Sequence, residues 1–530
     1  MSDRQSLNDI AKASARSSFY LFLGQSISTV LLAVTTILIG RLLGPENYGI
    51  YTVALTVPSL LLEVSDLGIS SALVRFIAKL CSEGKHGEAT RLSKIGILFK
   101  TLTSIGVSLV FLLLSGEIAT VILKRPEISL FVGVGALYLL GQAILGTINA
   151  IYIGLDRTEI SGFLVNVQAV SKAFVSIILI ILGYGVMGAL LGIGFSPLFT
   201  AVVGILLLLR VLKRFRQTNT SNHSSFLEGL RPMLAYGTPL YASNLLVSLL
   251  PQYYGLILAY FVSNEAIGNY ATAMNFSVLV SVITTPLATA LFPAFSKISI
   301  QKNRESVERM FRLAVKYTSL IVIPTSIALA LFSKELVTIL YGSSFNDAPN
   351  YLSLYALHFL TAGLGMLVLG NFFNGQGDTK TVFKVGLVRF FSSLILSPVF
   401  TSFDGVRGLI VSILISQLAS TILALLLSKR IYKVEIDFSS SLRICVSSFL
   451  SAMVIMVLLN IFTISILPIK LLILGSIYIA TFLVVAPLIG AINREDIQYL
   501  RNSIEGLSII RPFAMILLGF EMALLSLVKR

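Results

Sequence analysis

The chain has 530 residues, of which 55% are hydrophobic and 12% are charged, and its formal net charge is +15. Soluble globular proteins carry roughly a quarter charged residues, so this composition excludes a soluble enzyme and indicates a polytopic membrane protein. The positive charge is attributed to cytoplasmic loops, which are rich in Lys and Arg in membrane proteins, rather than to nucleic-acid binding.

Fourteen apolar segments are separated by charged or Gly/Pro-rich breaks. Each is predicted to be a transmembrane helix, because unpaired backbone amides are too costly in lipid. The first segment is too long for the core of a signal peptide and is interpreted as a retained span. The predicted spans are 18–40, 51–73, 94–115, 128–153, 160–182, 186–209, 234–261, 268–292, 314–333, 351–374, 382–402, 406–428, 442–465 and 469–491.

The distribution of Lys and Arg orients these helices. With the N-terminus in the cytoplasm, the inside connections and the two tails hold most of the 40 basic residues. The outside connections hold only Arg41, Lys124, Arg125, Lys334, Arg407 and Lys470. This asymmetry predicts a multi-pass protein of the cytoplasmic membrane with both termini in the cytoplasm. No connection is long enough for a folded catalytic domain, so any activity is expected within the membrane.

The two halves of the chain repeat each other. Segments 46–51 and 265–270 share Glu, Gly and Tyr at an offset of 219 residues, and segments 117–120 and 335–338 match at an offset of 218. We interpret this as duplication of a six-helix unit. Because six is even, both units enter the membrane from the same side, which gives a parallel repeat of the kind found in secondary transporters.

The predicted organisation is therefore all-α, with about 14 transmembrane helices in two six-helix bundles plus two extra C-terminal helices. The N-terminal bundle is placed at 1–215, the C-terminal bundle at 216–435, helices 13 and 14 at 436–492, and a cytoplasmic or interfacial tail at 493–530. Within the tail, 513–528 is short and apolar except for Glu521, which favours an interfacial helix over a fifteenth span.

Polar stripes run along several predicted helices, and a charge at mid-helix costs about 2.5–3.5 kcal/mol on insertion scales. A water-filled cavity between the halves would account for them, although such side chains also hydrogen-bond between packed helices. Lys172 and Arg389 would suit an anionic headgroup in a cavity, since the Arg fork matches phosphate. The candidate substrate-binding residues are Arg389, Lys172, Arg75, Gln25, Gln168, Asn244 and Gln252.

The second predicted helix carries two acids, Glu63 and Asp66, on one polar stripe. They are candidates for ion coupling, as a cation or drug exporter would need. A buried structural ion pair with Lys172, Arg389 or Arg75 explains them equally well.

Signatures of cofactor and metal chemistry are not found in the sequence. The two cysteines, Cys81 and Cys445, are far apart, and the three histidines show no ligand spacing. The Gly-Lys pair at 84–85 lacks the rest of a phosphate-binding loop. No cofactor, metal or enzymatic activity is therefore expected.

Four segments carry a resemblance to a known family. Segment 41–51 reads RLLGPENYGIY, and it is similar to the motif after the first helix of the Wzx-like polysaccharide-biosynthesis flippases. Segment 66–69 with Arg75 resembles the same family, as do segments 339–345 and 374–378 in the second half. This family lies in the multidrug/oligosaccharidyl-lipid/polysaccharide exporter superfamily.

The resemblance implies two six-helix bundles around a V-shaped cavity and movement of a polyprenyl-(pyro)phosphate-linked glycan from the inner to the outer leaflet. It implies membrane lipids and glycan-assembly enzymes as partners. Among the cations assigned to the phosphate, only Arg75 lies in a matched motif. Members often carry an Asp where this chain has Tyr254, a departure that bears on ion coupling. The alternative function is a cation- or drug-exporting antiporter of the multidrug branch.

Overall fold

The computed structural model describes residues 2–215, 226–297, 303–461 and 466–504, together with Gly519 and Met522. Within these residues every regular element is a helix, which confirms the predicted all-α class. Apart from those last two residues, the predicted interfacial segment 513–528 lies outside the described residues.

Nineteen α-helices follow one another in the described parts of the chain. They are α1 (Ser2–Ser65), α2 (Ile69–Ser82), α3 (His86–Leu113), α4 (Ser115–Glu117), α5 (Ser129–Gly154), α6 (Thr158–Leu179), α7 (Gly185–Phe215), α8 (Phe226–Ser248), α9 (Leu250–Phe261), α10 (Asn264–Asn275), α11 (Ser277–Lys297), α12 (Arg304–Leu331), α13 (Ser333–Leu340), α14 (Ala348–Ala356), α15 (Met366–Gly375), α16 (Thr379–Leu427), α17 (Phe438–Ile461), α18 (Leu467–Leu488) and α19 (Arg494–Ile504). Short 3₁₀ or π segments occupy Ile118–Ile122, Pro126–Ile128, Ile180–Tyr184, Leu357–Leu364 and Ser428–Tyr432.

Eight helices in the described residues are long and apolar enough to cross a membrane, or nine when one bent pair is counted as a span. Three of these, Ile27–Ser65, Thr158–Lys213 and Thr379–Tyr432, are far longer than one crossing requires. Each is broken at a glycine with a positive φ: Gly44, Gly183 and Gly405. The protein is thus a multi-pass membrane protein, and the count of fourteen spans is consistent with these lengths but stays a prediction.

Tertiary contacts divide the chain into two compact units. The first contains Met1–Thr272 and Thr401–Val406, and the second contains Ala273–Phe400 and Arg407–Arg530. The bundle boundaries that we predict from the sequence remain a prediction beside this division.

In the first unit, α5 and α6 pack along α7, and α1 packs on α5 and α6. An apolar cluster that includes Ile77 and Tyr152 is fully buried where α2, α5 and α7 meet. The Tyr152 hydroxyl donates a hydrogen bond to the carbonyl of Gly204 in α7, at 2.9 Å. These contacts hold α1, which carries Glu63 and ends just before Asp66, against the helices around it.

In the second unit, α17 and α18 pack against each other and α12. Lys316 of α12 forms an ion pair with Asp496 of α19, at 2.5 Å, and both side chains are almost fully buried. Lys470, in the first turn of α18, pairs with Glu335 of α13 at 2.9 Å. The Tyr478 hydroxyl donates to a backbone carbonyl of α12 between these two pairs. Two ion pairs and one hydrogen bond therefore attach α18 and α19 to α12 and α13.

Candidate functional site

A buried ion pair lies where α1 ends. The Lys100 ammonium is 3.2 Å from a carboxylate oxygen of Asp66 and also donates to the carbonyl of Ser65, at 2.8 Å. Only 3% of the Lys100 side chain is exposed. Since α1 stops at Ser65 and α2 starts at Ile69, the ammonium also satisfies a backbone carbonyl that the helix break leaves free.

The counter-ion of the Asp66 carboxylate is therefore Lys100. The structural ion pair expected as one alternative does exist, but its cation is Lys100 and not Lys172, Arg389 or Arg75. The sequence pattern did not single out Lys100, because this residue lies near the start of a predicted helix and was therefore grouped with the basic residues of the cytoplasmic loops. The available signal was its position, six residues inside the predicted span 94–115.

The start of α2 lies directly on α8. A Cβ built on Gly68 would be 2.1 Å from the carbonyl oxygen of Gly237, so the two backbones are in contact. Further along α2, the guanidinium carbon of Arg75 lies 4.1 Å from the ring centroid of Tyr236, which is a cation–π contact. Arg75 remains exposed. Its guanidinium is therefore positioned by an aromatic ring and can still accept an anionic partner.

Lys172 of α6 is half-buried. It makes no hydrogen bond or ion pair with the described residues. One turn earlier, the Gln168 amide donates to the Gln142 carbonyl oxygen of α5, at 2.8 Å. Gln168 thus joins two helices, which was the structural alternative for this stripe, whereas Lys172 is available to an anion.

Glu63, one turn before Asp66, is half-buried and forms no ion pair with the described residues. Its charge acts on the hydroxyl groups of Tyr138 in α5 and Tyr241 in α8. The Tyr241 hydroxyl is buried without a hydrogen-bond partner in the described residues. The Glu63 carboxylate thus interacts electrostatically with phenols on two other helices, and of the two hydroxyls the unpartnered one of Tyr241 can bind an oxygen of a polar headgroup.

The remaining predicted residues are placed separately. Gln252 of α9 is half-buried, and Arg389 of α16 belongs to the second unit, where it is also half-buried. The side chains of Gln25 and Asn244 lie outside the described residues. The first unit thus holds Lys172, the Glu63 group and the Arg75 contact, while Arg389 is described with the second unit. The assignment of all these residues to substrate stays a prediction.

The fold and these embedded charges define a polytopic helical membrane protein with charged side chains inside its spans. The chain belongs to the polysaccharide biosynthesis protein family, whose sequence model matches residues 14–299. The MatE family model matches residues 239–399. The resemblance noted in segment 41–51 is thereby confirmed.

Curated relatives carry related names. The chain is 22% identical over 167 residues to the probable low-salt glycan biosynthesis flippase Agl15 of Haloferax volcanii, covering 32% of this chain and 35% of that protein. It is 25% identical over 199 residues to the lipopolysaccharide biosynthesis protein WzxC of Escherichia coli, covering 37% and 40%. The alignments thus span well under half of either relative. Stage V sporulation protein B of Bacillus subtilis is 22% identical over 358 residues, covering 63% and 67%.

Solved structures share the fold. The lipid II flippase MurJ in an inward closed conformation matches with a TM-score of 0.72 and 16% identity, over 88% of this chain and 98% of MurJ. An inward-facing multidrug resistance MATE family transporter of the MOP superfamily matches with a TM-score of 0.63 and 16% identity, over 78% and 98%. These likenesses confirm the polytopic all-α fold.

Proposed function

We propose that this protein flips lipid-linked oligosaccharide or polysaccharide repeat units from the inner to the outer leaflet of the cytoplasmic membrane. The observation that carries the proposal is Lys172, a cation inside a span without a charged partner among the described residues, in a chain of the polysaccharide biosynthesis family. An unpaired charge is costly in a membrane segment and marks a substrate or ion pathway. A polyprenyl phosphate or pyrophosphate supplies the missing anion.

The proposed substrate has a phosphate part and a sugar part, and the two require different binding groups. Its phosphate would bind Lys172, with Arg75 as the cation near the α2–α8 contact, and its sugar hydroxyls would bind the Glu63 carboxylate and Tyr241. Alternating access would then expose the bound headgroup to one leaflet after the other. We infer that both termini are cytoplasmic, that the protein is not an enzyme and needs no cofactor, and that its partners are membrane lipids and glycan-assembly enzymes, not nucleic acid.

A cation- or drug-exporting antiporter is the second candidate. Two observations favour it: the MatE family match over 239–399 and the half-buried Glu63, which has no ion pair with the described residues. Asp66 is less suited to coupling, because Lys100 already balances it. An antiporter predicts that Glu63→Gln removes transport of cationic drugs, while the flippase predicts no drug transport at all.

The deciding experiment uses a strain that lacks this protein. Lipid-linked oligosaccharides are assigned to a leaflet with a membrane-impermeant glycan-modifying enzyme, applied to sealed cells and to inverted vesicles. Flipping predicts that a complete oligosaccharide lipid accumulates in the cytoplasmic leaflet and returns to normal when the intact gene is restored. An unchanged leaflet distribution would contradict the flippase and favour the antiporter.

A further inference from the structure

The segment before α5 carries a buried arginine that binds the turn between α9 and α10. The Nε atom of Arg125 donates a hydrogen bond to the carbonyl of Ala259, at 3.1 Å. The two other guanidinium nitrogens donate to the carbonyl of Val262 and to the side-chain oxygen of Asn264. Arg125 is 9% exposed, and all three acceptors are uncharged. We call this set of three hydrogen bonds the Arg125 latch, and all of its residues lie in the first unit.

Two of the acceptors belong to the end of α9. That helix ends at Phe261, and the last carbonyls of a helix have no partner within it. A cation at this end also interacts favourably with the negative end of the helix dipole. Arg125 therefore caps the C-terminus of α9 from a distant part of the chain, and only water could replace these hydrogen bonds if the two parts separated.

Asn264 connects the latch to a close backbone contact between α1 and α10. Its side chain accepts a hydrogen bond from Arg125, and its carbonyl oxygen would be 1.8 Å from a Cβ built on Gly49 of α1. Further along α1, the Thr56 side chain packs on α9, 2.8 Å from a Cβ built on Gly255. Arg125 thus fixes the position of a residue that lies directly against α1.

The turn before Arg125 is repeated in the second half of the chain, but the arginine is not. Lys124 has a φ of 56°, a left-handed conformation that is uncommon for residues other than glycine. At the 218-residue offset of the repeat lies Gly342, whose φ is 98°, and the residue after it is the exposed Ser343. Strained backbone of the kind found at Lys124 concentrates at functional positions. The turn is therefore shared by both halves, and the arginine is specific to the first.

We propose that the Arg125 latch keeps the outer side of the transport pathway closed, and that opening toward the outer leaflet requires its three hydrogen bonds to break. The inference rests on the proposed function, because it assumes alternating access. In the predicted repeat, Arg125 belongs to the first half and α9 and α10 to the second, so alternating access separates them on one side of the membrane. The predicted topology makes that side the outer one. Because no acceptor is a carboxylate, water can replace each hydrogen bond, which makes the latch reversible.

The test measures opening of the outer side by the rate at which a membrane-impermeant maleimide labels a buried cysteine on sealed cells. The reporter is Thr56→Cys, at a position that is 5% exposed and contacts α9, in the full-length protein with Cys81→Ser and Cys445→Ser. We expect Arg125→Gln to raise the labelling rate about tenfold, because a hydrogen bond to a charged group contributes at least that factor to an equilibrium. Arg125→Lys keeps the charge without the planar fork and is expected to give an intermediate rate.

Two controls separate the latch from a general loosening of the fold. Lys124→Gln removes the neighbouring exposed charge and should leave the labelling rate within twofold. A second reporter, Ala136→Cys in α5, is 7% exposed, lies toward the same predicted face of the membrane, and should be labelled no faster in Arg125→Gln. Faster labelling of both reporters would show that Arg125 only stabilises the fold and would overturn the latch.

The acceptor side chain provides an independent check. Asn264→Ala removes one of the three acceptors and is expected to raise the labelling of Thr56→Cys by less than Arg125→Gln does. The double variant Arg125→Gln/Asn264→Ala should be labelled no faster than Arg125→Gln alone, because the two residues act through one contact. Rates that multiply in the double variant would contradict that contact.

Labelling of Thr56→Cys at the wild-type rate in Arg125→Gln also overturns the latch. That failure is distinguishable from failure of the proposed function, because it leaves leaflet translocation by the wild-type protein intact. Conversely, latch variants that open as expected in a protein that moves no oligosaccharide lipid would retain the latch and reject the flippase.

Discussion

Gly49 lies directly against the backbone of Asn264, which is four residues before Gly268. In the same way, Gly268 lies against the backbone of Pro45, which is four residues before Gly49. A Cβ built on Gly49 would be 1.8 Å from the carbonyl oxygen of Asn264, and one built on Gly268 would be 1.9 Å from that of Pro45. Both the two glycines and the two carbonyl residues are 219 positions apart, the offset of the sequence repeat. A reciprocal contact of this kind is what a two-fold relation between duplicated segments produces.

The first prediction concerns this contact, which only glycine permits. Gly49→Ala and Gly268→Ala force the backbones apart, and overpacking of this kind costs about 1–3 kcal/mol. We expect a lower melting temperature of the purified protein and reduced complementation of the deletion strain. Gly106→Ala is the matched control, since nothing lies within 4 Å of its added methyl group. Unchanged melting of both variants would contradict the close approach.

The second prediction concerns the ion pair of Asp66 and Lys100. Asp66→Asn leaves a Lys that is 3% exposed without its counter-ion, and breaking a buried pair in this way costs about 3–5 kcal/mol. Lys100→Met leaves a carboxylate that is 26% exposed, so water offsets part of its loss and the expected cost is smaller. Chemical denaturation in detergent micelles measures both.

The double variant Asp66→Asn/Lys100→Met removes both charges and is expected to recover part of the lost stability. The exposed pair Arg157–Glu159, at 49% and 47% exposure, provides the control, and its loss should cost no more than about 1 kcal/mol. Additive losses in the double variant would show that Asp66 and Lys100 do not stabilise each other.

The third prediction separates the two polar residues of α6. Lys172→Gln is expected to abolish lipid-linked oligosaccharide transport at a normal protein level, because the proposed phosphate contact is lost, and Lys172→Arg to retain part of it. Gln168→Ala removes one interhelical hydrogen bond to Gln142, worth about 1 kcal/mol, and should lower stability more than transport. Full transport by a Lys172→Gln/Arg389→Gln double variant would refute the cationic site.

The fourth prediction concerns pH and Asp378, the N-cap of α16. Burial raises the pKa of this carboxyl, but hydrogen bonds from Thr381 and Tyr432 outweigh it, so its pKa lies below the usual carboxyl value. A lowered pKa in the folded state stabilises the fold at pH values above the unfolded carboxyl pKa of about 4. That contribution disappears as the pH falls through the folded pKa.

Thermal melting as a function of pH tests this expectation. The wild type should lose stability relative to Asp378→Asn as the pH falls below about 4, and the two curves should run parallel near neutrality. The Asp437→Asn variant, at the N-cap of α17, is a second case, because hydrogen bonds from Ser440 likewise outweigh burial and lower its pKa. Parallel curves for Asp378→Asn across the acid range would exclude the cap as a source of acid sensitivity.

The sequence by itself determined the class of protein, the approximate positions of the apolar spans, the repeat and the family. These features depend on composition and on local periodicity, which record burial in lipid along the chain. It also singled out Lys172 and Arg389, because a charge inside an apolar run is visible without knowing what surrounds it.

Only the tertiary structure decided which of these side chains are paired. The sequence pattern groups Lys100 with the loop cations, but in the structure it is the buried partner of Asp66. Gln168 forms a hydrogen bond that connects two helices. The break within the predicted span 351–374 was likewise visible only in the structure. The physical reason is that a partner is set by the rotation and crossing of helices far apart in sequence, and a single helical pattern carries no record of what faces it.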